Sequence, residues 1–254
     1  MKIEGSIVLV TGGASGIGYS IAKWFVDLKA FVFICDLNED KGKEVEAECK
    51  GNLKFIKCNI TSEEEVKKMI ETIKNEKGRL DTVVNSAGVA WPELIASTKG
   101  VHKSDSFKRV FDINVFGTFL VSKYAAKLMI ETKQDVECNG NIIMIASVAG
   151  IEGQRGQLSY AGSKAAVIGM TLPMARDLGK FKIRVNTIAP GIILTPMTQG
   201  IIETGPMKSI VSQTPLSTTG KPNHISETVE YIVKNDFLNG TVIRVDGGVR
   251  FPQF

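Results

Sequence analysis

Tyr160-Ala161-Gly162-Ser163-Lys164 opens a stretch with helical patterning. Positions i and i+4 share one helix face, so a phenol and an amine stand one turn apart. A free phenol has a pKa of about 10 and is a poor base at neutral pH. A lysine cation one turn away stabilises the phenolate, and Tyr160 could then move a proton between an alcohol and a carbonyl. The same spacing also describes an exposed Tyr and Lys on a surface helix, so the pair needs company. Ser147 follows an apolar strand, at the end where doubly wound sheets open their ligand crevice. Its hydroxyl could hold a substrate oxygen beside Tyr160. Asn114 sits inside a helical run, in Phe111-Asp112-Ile113-Asn114-Val115. Asparagine is a poor mid-helix residue, which points to a polar role.

A second constellation lies near the start. Thr11-Gly12-Gly13-Ala14-Ser15-Gly16-Ile17-Gly18 stands between a first strand and a helix. A dinucleotide diphosphate needs close backbone N–H groups and a helix N-terminus aimed at it. Glycine permits that approach, so Gly12, Ser15, Gly16, Ile17 and Gly18 are assigned to the diphosphate. Asp36 ends the second strand, where a carboxylate accepts hydrogen bonds from both adenosine ribose hydroxyls of NAD. It would repel the 2′-phosphate of NADP. Leu37 and Ala14-Ser15 supply no cation, which also favours NAD.

These residues need a scaffold, and the chain reads as one. Ile7–Val10, Phe31–Cys35, Leu53–Cys58, Thr82–Val84, Asn141–Ala146, Ile183–Ile188 and Thr241–Val245 are predicted strands. Helices are predicted from the glycine turn to about Leu28, over Glu39–Cys49, from a Ser62 cap with Glu65 behind it to about Glu76, over Asp105–Glu131 and over Ser159–Leu178. Strands two to six are apolar runs, the pattern of strands buried on both faces of a parallel sheet. Alternating strands and helices predict an α/β fold: one Rossmann domain over residues 1–254, with a doubly wound parallel sheet of about seven strands and helices on both faces. Residues 191–220 are long, rich in Pro, Thr and Gly, and weakly patterned, and are expected to form a substrate lid within that domain. Ile192, Ile193, Leu194, Met197, Ile201 and Ile202 there could enclose an acyl chain or a sterol, or simply pack over the sheet.

Composition narrows the function. The chain has 254 residues, 43% of them hydrophobic and 23% charged, with a net charge of +4. That is ordinary for a globular protein, and no basic cluster points to nucleic acid. Four cysteines without Cys-x-x-Cys spacing and two histidines point away from a structural metal, so no metal ligands are assigned. The thiols suggest a reducing compartment. No apolar run reads as a membrane span, and no targeting segment is visible before the first strand.

The glycine turn, Asn85-Ser86-Ala87-Gly88, Asn114, Ser147, Tyr160-x-x-x-Lys164 and Pro190-Gly191 occur in order along the whole chain. Together they resemble the short-chain dehydrogenase/reductase family. The resemblance implies a catalytic tetrad of Asn114, Ser147, Tyr160 and Lys164. Ser147 would position the substrate oxygen, Tyr160 would transfer its proton, and Lys164 would bind the nicotinamide ribose and lower the phenol pKa. Asn114 would hold a water in a proton relay. Asn85, Ser86, Ala87 and Gly88 would line the cofactor cleft. Pro190, Gly191, Ile193 and Thr195 would face the nicotinamide end, with Thr195 on the carboxamide. Asn59 and Ile60 would flank adenine, with Asn standing where the family usually has Asp.

A closer resemblance, to the branch of that family that oxidises 3-hydroxyacyl-CoA thioesters, rests on further stretches. They include Ala146-Ser147-Val148-Ala149, Gly153-Gln154, Gly169-Met170-Thr171-Leu172-Pro173 and Phe237-Leu238-Asn239-Gly240. This implies an acyl-CoA or lipid alcohol substrate, with Gln154 joining Ser147 and Tyr160 at its oxygen or thioester. It also implies a homotetramer and a mitochondrial matrix or cytoplasmic location. Lys99, Lys103, Lys108 and Arg109 are candidates for the CoA phosphates, or form a solvated charged face. Other expectations stay open: a hydroxysteroid or other lipid alcohol dehydrogenase, or an NAD-binding scaffold without catalysis.

Overall fold

A computed structural model describes residues 1–132, 138–202, 211 and 214–250. Five short apolar strands carry everything else in the fold. They are β1 (Ile7–Thr11), β2 (Phe31–Asp36), β4 (Thr82–Asn85), β7 (Gly140–Ile145) and β8 (Ile183–Pro190), and nearly every residue in them is buried. With β3 (Leu53–Lys57) and β9 (Val242–Val245) they form a seven-stranded sheet in the order β3-β2-β1-β4-β7-β8-β9. All six pairings are parallel. The order reverses between β1 and β4, which opens a crevice at the strand carboxyl ends.

Helices cover both faces. α1 (Gly16–Asp27), α2 (Glu39–Glu48) and a late helix pack on one side around Val8, Val10, Phe25 and Ile188. α3 (Glu63–Lys77), α5 (Thr118–Glu131) and α6 (Leu158–Gly179) pack on the other around Leu9, Phe33, Val83 and Ile142. Ser62 caps α3 by accepting from Glu65 N at 3.3 Å. The Glu65 carboxylate turns elsewhere, accepting from Asn59 N at 2.8 Å, so the box closes on the β3 loop.

Four features depart from the expected elements. The stretch predicted as one helix over Asp105–Glu131 is α4 (Ser104–Phe111), a π-helical turn (Asp112–Gly117) and α5, run together. By length and composition this Ser104–Glu131 segment could cross a membrane, with a mean hydropathy of 1.2, although 56% of the window is buried in the protein. Its apolar residues, Leu120, Val121, Leu128 and Met129, face the core. The insertion before α4 carries a small antiparallel hairpin, β5 (Ala96–Ser97) with β6 (Gly100–Val101).

The 191–220 segment is partly helical: α7 covers Pro196–Ile202. Residues 203–210 and 212–213, and the side chains of Ile201 and Ile202, lie outside the described part. The base of this excursion is tied, with Leu194 N donating to Gly220 O at 2.9 Å and Gly220 N to Ile192 O at 2.8 Å. Finally, α8 (Pro222–Lys234) has no counterpart among the sequence expectations. Its signal was present in Pro222 at the first turn and in the spacing of Ile225, Val229, Ile232 and Val233.

Candidate active site

Thr11 ends β1, and its Oγ1 accepts from Ser86 N and Ala87 N, both at 3.1 Å. That clamps the end of β4 to the glycine turn. Gly12 has φ +65°, and a side chain there would come within 2.8 Å of Ala87 Cα. Gly18 is tighter still, since a Cβ would sit 2.2 Å from Gly12 O. No residue but glycine fits either place. Ser15 is the N-cap of α1, yet its side chain makes no capping bond. The first N–H groups of α1 are therefore left facing the crevice, a cradle for a diphosphate.

The crevice has two chambers that meet at Gly12, Ala87 and Gly88. One, of about 200 Å³, is lined by Ser15, Gly16, Ile17, Gly18, Ser86, Ser147, Tyr160, Lys164, Pro190, Gly191, Ile193 and Thr195. The other, of about 490 Å³, is lined by Asp36, Leu37, Asn59, Ile60 and Thr61. Thr195 closes in from the far wall, with its Cβ 3.6 Å from where a Gly16 side chain would begin. Asp36 holds the turn through Oδ2 to Ala14 N at 3.3 Å and Oδ1 to Asn38 N at 3.0 Å. Each oxygen keeps a lone pair for a ribose hydroxyl.

Ser147, Tyr160 and Lys164 converge at the first chamber. The Tyr160 phenol faces Ser147 across this chamber, and Ser147 Oγ accepts from Ala149 N at 3.1 Å. Burial pushes the phenol pKa up, and the nearby Ser147 hydroxyl pulls it back. Lys164 Nζ lies 5.8 Å from the Tyr160 ring centre and donates to Ile145 O at 2.7 Å. Burial lowers its pKa to about 8.

Asn114 stands behind this group rather than in it. Its Oδ1 accepts from Val89 N at 2.8 Å, and its Nδ2 donates to Val89 O and to Ser163 Oγ, both at 2.9 Å. Ser163 Oγ in turn donates to Tyr160 O at 2.7 Å. The side-chain amide thus ties the chain around Gly88 to α6.

Two expected positions, Asn85 and Gln154, lie away from both chambers. Asn85 does not face the crevice. Strand alternation turns it toward α5, where Nδ2 donates to Ser122 Oγ at 3.0 Å. Asn59 lines the second chamber, but its Oδ1 already accepts from Thr61 N and Oγ1 at 3.1 and 2.9 Å. Gln154 sits on the loop after Ser147, outside both chambers, with its N donating to Gln157 Oε1 at 3.1 Å. Lys108 and Arg109 line the Asp36 chamber, because α4 runs along that side of the crevice. Lys108 is held by Asp112 at 2.5 Å. Both stand on the Asp36 side of the crevice. Among the described residues no group of three or more His, Cys, Asp or Glu could hold a metal. Thr11 and Ser163 are the positions that motif reading passed over. Each lay inside a quoted motif, but its partners are fixed only by the fold.

A family profile described as enoyl-(acyl carrier protein) reductase matches residues 12–250. A relative named 3-hydroxyacyl-CoA dehydrogenase type-2, from Drosophila melanogaster, is 42% identical over 255 residues, covering 98% of each chain. The crystal structure of 3-hydroxyacyl-CoA dehydrogenase type-2 from Mycobacterium avium superposes with a TM-score of 0.90 at 32% identity, covering 99% of this chain and 98% of that one. A short-chain type dehydrogenase/reductase from Mycobacterium ulcerans has a TM-score of 0.89 at 31% identity, covering 98% and 90%. With a glycine-cradled crevice leading to a buried Ser-Tyr-Lys group, and with these relatives along its whole length, the chain belongs to the short-chain dehydrogenase/reductase family of oxidoreductases.

Proposed function

We propose that the protein is an NAD-dependent dehydrogenase interconverting 3-hydroxyacyl-CoA and 3-oxoacyl-CoA, with Ser147, Tyr160 and Lys164 at the reaction centre. The observation that carries this is the meeting of Ser147, Tyr160 and Lys164 on the wall of the dinucleotide crevice, in a chain so similar to relatives of that name.

NAD, when bound, supplies the hydride acceptor. Ser147 orients the substrate hydroxyl against Tyr160. Tyr160 takes the hydroxyl proton as the adjacent carbon gives up its hydride, and returns a proton in the reverse direction. Lys164, one turn away, keeps positive charge beside the phenol and lowers the energy of its anion. Asn114 keeps Gly88 and α6 in place through Val89 and Ser163. Asp36 selects NAD by repelling a 2′-phosphate. Arg109 is a cation on the same chamber, so the cofactor arm of the test weighs one against the other. The 191–220 excursion is the expected lid, and Leu194 and Met197, both about half exposed (45% and 50%), are its described apolar contribution. Exposed Phe116, Phe119 and Leu172 support the expected homotetramer.

The test follows nicotinamide reduction by the purified protein. It compares 3-hydroxybutyryl-CoA with a 17β-hydroxysteroid, and NAD with NADP. Turnover of the thioester with NAD is expected. Turnover of the steroid alone would withdraw the acyl-CoA assignment, and equal use of NADP would withdraw the role of Asp36.

A further inference from the structure

We infer that Glu152, Arg244 and Asp246 form a positioning clamp. It ties the loop that leaves Ser147 to the end of β9 and sets how firmly the substrate is held. The inference rests on the reading above that Ser147, at the root of this loop, orients the substrate hydroxyl.

The loop leaves Ser147 through a 3-10 turn (Val148–Gly150) and bends back, Glu152 N donating to Val148 O at 2.8 Å. On one side it lies hard against α6. A side chain at Gly150 would come within 2.7 Å of Ala165 N, and one at Gly153 within 2.8 Å of Ala161 Cβ. Its other side is held by charge. Arg244 Nη1 donates to Glu152 Oε1 at 2.6 Å, its Nε to Asp246 Oδ2 at 2.8 Å, and its Nη2 to Val249 O at 3.0 Å. The planar guanidinium holds three partners at once and joins the Glu152 loop to the stretch that follows β9, which a lysine cannot do. The Arg244 and Glu152 side chains are only 23% and 25% exposed, so water screens the pair incompletely. Gln154 hangs from the same loop, with Nε2 3.5 Å from Glu152 O.

Glu152 stands apart from the cofactor wall, whereas Asp246 does not. A side chain at Gly191 would meet Asp246 Cα at 2.7 Å. Neutralising Glu152 therefore releases the loop and leaves Arg244, Asp246 and Gly191 joined. The experiment compares wild type with Glu152→Gln, Arg244→Lys and the double variant. It measures KM, kcat, NADH affinity and amide exchange over residues 150–157.

Glu152→Gln is expected to raise KM about tenfold, the scale of losing one charged hydrogen bond, with kcat within about threefold. NADH affinity should hold and loop exchange should quicken. The double variant should be little worse than the poorer single one, because Arg244 makes the short bond to Glu152 and Arg250 Nε, at 3.7 Å, a longer one. Unchanged KM and exchange in Glu152→Gln would overturn the clamp, as would additive losses or a parallel fall in NADH affinity and melting temperature. Failure of the substrate assignment is read separately, in the wild type. Were the wild type inactive on every alcohol offered, loop exchange alone would still decide the clamp.

Discussion

Lys164 carries a cation in a place that disfavours it. Its side chain is 5% exposed, and burial brings its pKa from the ordinary 10.5 to about 8. Between those two values the unfolded chain holds a proton that the folded chain lacks, so stability rises with pH across that window. Below about 8 the cost of the buried cation is present in full. Lys164→Met is therefore expected to stabilise the protein by about 1–3 kcal/mol at neutral pH and to flatten that pH dependence, while turnover is lost. Thermal unfolding at pH 7 and pH 9 checks it, and a destabilised variant would show that the bond to Ile145 O outweighs desolvation.

Tyr160 gives the complementary test. The phenol is held up by burial and must be an anion to oxidise an alcohol. The rate of oxidation should rise with pH, and carbonyl reduction, which needs the neutral phenol, should fall. Tyr160→Phe should lower kcat by about 10³-fold or more with NADH binding kept. Retained turnover would move the proton transfer to another group.

At the scale of elements, the π-helical turn explains what an asparagine is doing inside a helix. The reading that a poor mid-helix residue signals a polar role led to the right position. It could not show that the role is a three-way tie to Val89 and Ser163, since neither partner is near Asn114 in sequence. The turn also brings Gly117 against the loop after β3, where a Cβ would meet Ile60 Cδ1 at 2.6 Å. Motifs set by local rules were legible: the glycine turn, the Tyr-x-x-x-Lys spacing and the apolar strands. Features set by what a strand end faces were not, and Asn85, turned to Ser122, is the plainest case. Asn114→Ala leaves Val89 N–H and C=O without these partners and should cost about 2–4 kcal/mol. Amide exchange at Val89 should quicken while that of Val83 stays slow. Equal quickening at both would mean global loosening rather than release of one segment.

Over the whole molecule, the first and last elements support one another. α8 packs along α1, with Ser20 Oγ 2.9 Å from Ser226 Oγ and Trp24 Nε1 donating to Glu230 Oε2 at 2.7 Å. The helix that offers its N-terminus to the diphosphate is thus braced by one about two hundred residues later in the chain. α8 is in turn fixed to the sheet by Arg184, near the start of β8 and 6% exposed. Its guanidinium donates to Ile232 O at 2.8 Å, Leu238 O at 2.9 Å and Val233 O at 3.0 Å. A cation at a helix C-terminus also meets the negative end of the helix dipole. Methionine would fill much of the same volume and satisfy none of those carbonyls. Arg184→Met should therefore destabilise by about 3 kcal/mol, which for a domain of this size lowers the melting temperature by roughly 6–12 °C. Because α8 braces α1, NADH affinity should weaken before the protein melts, and KM for the alcohol should follow it. A melting temperature that fell with NADH affinity unchanged up to the transition would mean that α1 holds its place against the sheet without α8.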